Sequence, residues 1–95
     1  MSQDDEDLVG LASVTREGGV DAQGCTVEVD PKVPGKYTVR AAPNARVVVQ
    51  LKDTKAKVLS IRGTRTPGEH VVRVVSSRSP SEPFNSPLEI AVLKG

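Results

Sequence analysis

Pro34-Gly35-Lys36-Tyr37-Thr38-Val39-Arg40 is echoed by Pro67-Gly68-Glu69-His70-Val71-Val72-Arg73. Each opens with a Pro-Gly pair and continues as a run rich in β-branched residues. Proline presets φ, glycine supplies φ > 0, and β-branched side chains fit a pleated strand, so each phrase reads as a turn that launches a strand. The spacing also allows an internal duplication. Recurrent turn chemistry explains the few identities as well.

Outward from these phrases the chain keeps a period of two. Cys25, Val27 and Val29 alternate with Thr26, Glu28 and Asp30, and Tyr37, Val39 and Ala41 alternate with Lys36, Thr38 and Arg40. Such alternation marks half-buried antiparallel strands. After Pro43-Asn44, residues Arg46–Lys52 are expected to return as the hairpin partner of Lys36–Ala42, with Val47, Val49 and Leu51 inward. Lys57–Arg62 reads as a further strand. His70–Ser76, apolar at Val71, Val72, Val74 and Val75, reads as a central one. Leu88, Ile90 and Val92 alternate in the last strand, after a long loop containing Pro80, Pro83 and Pro87. Arg16–Gly24, with three glycines, reads as a loop, and Leu8–Thr15 as a first strand or an apolar anchor. About seven short strands result, the pattern of an all-β sandwich.

The chain has 95 residues, enough for one domain that buries roughly 60–65% of its unfolded surface. Residues 8–95 are assigned to that domain and residues 1–7 to an acidic N-terminal arm. The arm carries Asp4, Asp5, Glu6 and Asp7 and almost no apolar side chain to offset its ordering entropy. The net charge of +1 hides an asymmetry: residues 1–30 hold eight acids against Arg16, and residues 31–95 hold twelve Lys and Arg against four acids. The split suggests an arm lying on its own basic body or reaching a basic neighbour. An ordinary solvated surface is the plainer alternative.

The arm is the opposite of a signal peptide's basic start, and no stretch approaches the ~20 apolar residues of a membrane span. A soluble location, cytoplasmic or within a virion, is expected. The single Cys25 excludes an internal disulfide and supplies no metal cluster.

The last third, from Pro67-Gly68 through His70–Val75 to Leu88-Glu89-Ile90-Ala91-Val92, resembles the closing hairpin of bacterial and phage immunoglobulin-like domains. The resemblance implies an immunoglobulin-like β-sandwich used for display, adhesion or decoration, and transfers no functional residue. The paired cysteines and core Trp of antibody domains are missing.

Catalytic chemistry finds little support. His70 has only Glu69 beside it, which points to the opposite face of a strand. Cys25, on an apolar face, behaves as a small hydrophobe. No enzyme activity, cofactor or metal is expected. Tyr37 reads as core and Phe84 is the only other aromatic residue, which disfavours glycan recognition and base stacking.

The expectation is therefore a structural or interaction module, most concretely a phage capsid or tail decoration protein. It would dock through Asp4, Asp5, Glu6, Asp7, Leu8, Val9 and Leu11 on subunits of a larger assembly, a homo-oligomer included. Arg62 and Arg65, flanking Gly63-Thr64, could clamp an anion, although solvated loop arginines are the plainer reading. Phe84, held among prolines, is either a contact anchor or a lid on one end of the core. Two alternatives remain open: a nucleic-acid or anionic-ligand binder using the basic body, and an immunoglobulin-like module of a larger adhesin or enzyme. Nucleic acid is the less favoured partner, because the alternation does not place the basic residues Arg40, Arg46, Arg62, Arg65 and Arg73 on one face.

Overall fold

The computed structural model describes residues 7–95. Among them are eight strands: β1 (Leu8–Val14), β2 (Val20–Gln23), β3 (Thr26–Val29), β4 (Lys36–Arg40), β5 (Arg46–Leu51), β6 (Ala56–Gly63), β7 (Glu69–Ser76) and β8 (Leu88–Leu93). They form two four-stranded sheets. The front sheet has the order β2-β1-β8-β5 and the back sheet β3-β4-β7-β6, and every pairing is antiparallel.

The period-two residues face each other between the sheets. Ala12 and Val14 of β1 and Leu88, Ile90 and Val92 of β8 meet Tyr37 and Val39 of β4 and Val72 and Val74 of β7, all buried. Each large apolar side chain so enclosed contributes about 1.5–3 kcal/mol. Val27, Val29, Val47, Val49 and Leu51 pack around this centre from the outer strands. As its apolar residues on both faces imply, β7 is an inner strand, between β4 and β6.

Three expectations need correction. There are eight strands, because Val20–Gln23 within the supposed 16–24 loop pairs with β1 as the edge of the front sheet. Only Ala22 of β2 packs against the core, so no clear alternation marks it. Second, β5 is not the hairpin partner of β4: it crosses to the front sheet and pairs with β8, from Arg46↔Leu93 to Leu51↔Leu88. Residues 41–45 span the ~10 Å between packed sheets, and the crossing points the apolar face of β5 back at the core. Third, β7 and β8 do not form a hairpin, since they lie in opposite sheets. The loop between them is long and held in place, with Ser76 N donating to Glu82 O at 2.8 Å and Phe84 N to Val74 O at 3.2 Å.

Both Pro-Gly turns behave as expected. Gly35 and Gly68 have φ of 75° and 82°, the left-handed region that glycine adopts without strain. A Cβ added at either would also run into neighbouring backbone, the carbonyl oxygen of Val74 or of Ala41 respectively.

Candidate interaction surfaces

The front sheet presents an apolar patch on its outer face, bordered by the polar row Ser13–Glu89–Gln50. Register places Leu11 of β1 beside Ala91 of β8, and Ala91 beside Val48 of β5, in one row across three strands. In the next outward row Leu8 lies beside Leu93, and Leu93 beside Arg46. Leu11 is 50% and Val48 49% exposed, and Leu8 is also exposed. A bulge between Leu8 and Gly10 inserts Val9 as an extra, exposed residue. A depression of about 290 Å³ opens beside it, lined by Leu8, Val9, Gly10, Leu11, Gln23 and Gly24.

Of the residues assigned to docking, Leu8, Val9 and Leu11 thus converge on one surface. Asp7 adjoins it, its carbonyl accepting from Lys94 N at 2.7 Å. Asp4, Asp5 and Glu6 lie outside the described residues. Residues 11–14 pair on both sides within their own sheet, and Leu8 and Gly10 pair with β8, so over 11–14 β1 offers a partner side chains and not an open backbone edge.

The other assigned residues lie elsewhere. Arg62 belongs to β6, opposite Val71, and Arg65 to the following turn. Both are exposed, and neither makes an ion pair among the described residues. Phe84 is partly buried against the core, in a loop whose Asn85 accepts from Gly35 N at 2.8 Å.

The back sheet presents a charged outer face. Lys36 and Arg73 are direct cross-strand partners, and Arg73 faces Ser60 on its other side. Arg62 opposite Val71 and Lys57 opposite Val75 stand diagonally to Arg73. Sequence reasoning named Arg62 and Arg73 as basic residues but passed over Lys36 and Lys57. The outward alternation of β4 marks Lys36, whereas its meeting with Arg73 depends on a register that no local pattern contains.

Farther along, Arg40 Nε donates to Glu69 Oε2 at 2.9 Å, and its Nη2 lies 4.0 Å from Glu28 Oε1. The Thr64 hydroxyl, donating at 2.8 Å, and the Arg40 guanidinium hold the Glu69 carboxyl below the usual range. Burial pushes the Cys25 thiol up and the Tyr37 phenol up, the latter partly offset by a hydrogen bond with the Ser86 backbone. His70 is the partner of Val39 at the end of the back sheet, and its Nδ1 is buried without a hydrogen-bond partner.

Among the described residues no group of three His, Cys, Asp or Glu side chains could hold a metal. None of their helices is long and apolar enough to cross a membrane.

Comparison with protein families, curated proteins and solved structures gives no match to this chain. The surfaces themselves carry the functional argument.

Proposed function

We propose that the chain is a non-enzymatic interaction module that attaches to a larger assembly through the outer face of its front sheet and the adjoining acidic segment. Its most concrete form is a phage capsid or tail decoration protein. The observation that carries the proposal is the row Leu11–Ala91–Val48 with Leu8–Leu93 beside it. An antiparallel sheet with one face on the core normally turns polar residues outward, yet here apolar side chains from three strands form a continuous outer patch. Patches of this kind mark contact surfaces. Burying each large side chain contributes about 1.5–3 kcal/mol before the cost of association.

Topology supports the immunoglobulin-like part of this reading. The back-sheet order β3-β4-β7-β6 matches the A-B-E-D arrangement of constant-type domains, and β5-β8-β1 matches C-F-G. In this match β1 takes the place of the closing strand, so the chain runs as a circular permutation of that arrangement.

The test is the double variant Leu11→Lys/Val48→Lys, followed into whatever particle the protein copurifies with. It is expected to keep its β-type circular dichroism and to lose incorporation. Incorporation at the level of the unaltered chain would refute the proposal.

A further inference from the structure

We propose that the outer face of the back sheet is a receptor for the acidic segment Asp4-Asp5-Glu6-Asp7 of a second copy of this chain, joining copies head to tail. The inference names a partner for the leading segment and rests on the docking role proposed for it.

The receptor is a cluster of cations on adjacent strands. Arg73 of the inner strand β7 has Lys36 directly across from it on β4, with Arg62 and Lys57 diagonally placed on β6. Like charges directly opposite one another destabilise a sheet, with side-chain origins only about 5 Å apart. Among the described residues Arg73, Arg62 and Lys57 make no ion pair and Lys36 makes one: Asp30 Oδ2 is 3.8 Å from its Nζ, while Oδ1 of the same carboxylate accepts from the amides of Lys32 and Val33. Glu28 lies beyond Thr38 in the next row and faces Arg40. An extended acidic strand laid across this face would place alternate carboxylates over Arg73 and its neighbours, in charge-assisted contacts.

The matching anion is in the chain itself: four consecutive acids against four clustered cations. Chain reach keeps the segment from Lys36 and Arg73 of its own molecule. Asp7 is tied by Lys94 to the front sheet, at the end where residues 41–45 cross between sheets. Lys36 and Arg73 lie on the far side of the back sheet, four residues from that end along β4. The surface path is ~10 Å between sheets plus ~13 Å along the strand. Asp4 is only three residues before Asp7 and extends at most ~11 Å from it. Asp7 and the receptor are on opposite sheets, so the contact is heterologous and propagates into a ring or an open chain.

Sedimentation velocity of the full chain is the test, at about 10 mM and about 1 M salt, where the screening length changes from ~30 Å to ~3 Å. Concentration-dependent association at low salt, dispersed at high salt, is expected. The Lys36→Glu/Arg73→Glu variant should weaken it at least about tenfold, as should Asp4→Lys/Asp5→Lys/Glu6→Lys/Asp7→Lys, and mixing the two variants should restore a complex. A synthetic peptide of residues 2–8 is titrated into the isotope-labelled full chain as a readout that needs no altered fold. It should shift the amides of Lys36, Thr38, Arg62 and Arg73 most.

A chain that stays monomeric at low salt, or an association that survives Arg73→Glu in a folded variant, overturns the inference. So does a face that responds to duplex DNA but not to the peptide. Leu11→Lys/Val48→Lys should retain this association. If that variant instead abolishes it while the back-sheet variant does not, the inference falls and the front-sheet docking reading stands.

Discussion

The backbone amide of Gly35 donates to the side-chain oxygen of Asn85 at 2.8 Å, across fifty residues of chain. This bond ties the first Pro-Gly turn to the proline-rich loop that carries the chain from β7 to β8. Gly35 O also accepts from Val74 N at 2.7 Å, so the turn is locked to β7 as well. A side chain at this position meets both a left-handed φ and the Val74 carbonyl.

Gly35→Ala and Gly68→Ala are therefore each expected to destabilise the fold by about 2 kcal/mol or more. Gly63→Ala, whose added carbon meets nothing within 4 Å, should be near neutral or slightly stabilising, because it reduces the freedom of the unfolded chain. Urea midpoints of the three variants check this ordering. Asn85→Ala should cost about 1 kcal/mol through the orphaned Gly35 amide.

Inward and outward positions of the front sheet should separate sharply. Ile90 is fully enclosed, and Ile90→Ala should cost about 2–5 kcal/mol through lost burial and the cavity left behind. Val48→Ala, on the exposed row, should stay within about 0.5 kcal/mol. Denaturant unfolding of both variants makes the comparison.

Acid should weaken the fold through two identified carboxyls. Glu69 is held below its ordinary range by the Thr64 hydroxyl and then Arg40. Asp30 is held below its range by the amides of Lys32 and Val33. A folded-state value below the unfolded one means that the ionised form favours folding. Their contribution is complete above the unfolded values near ~4 and is lost as pH falls through the folded values. Urea midpoints followed down the acid limb should fall less steeply for Glu69→Gln/Asp30→Asn than for the unaltered chain.

Cys25 is partly buried against the core, and its thiol titrates above the ordinary range because burial disfavours the thiolate. Alkylation by iodoacetamide near neutral pH should be slower in the folded chain than in urea, since the thiolate is the nucleophile. A rate equal to or above the unfolded one would place the thiol in a different environment.

The two Pro-Gly turns and the inward sets Tyr37/Val39 and Leu88/Ile90/Val92 were legible from sequence, because turn chemistry and period-two alternation are local properties. The short edge strand β2 was not, since it sends little into the core and has no alternation to reveal it. The candidate docking residues Leu8, Val9 and Leu11 were visible as apolar positions. Their neighbours Val48, Ala91 and Leu93 were not, because they come from strands distant in the chain.

What the sequence alone determined is therefore the strand character of every segment except β2 and the inward face of those segments that alternate. Tertiary structure decided which strands meet: β4 pairs with β7 rather than β5, and β8 lies between β1 and β5. Pairing depends on which edges are free and on how two apolar faces close over each other, and these are non-local quantities. The same non-local register sets Lys36 against Arg73 and Leu11 in line with Val48, and so creates the basic cluster of the back sheet and the apolar row of the front sheet.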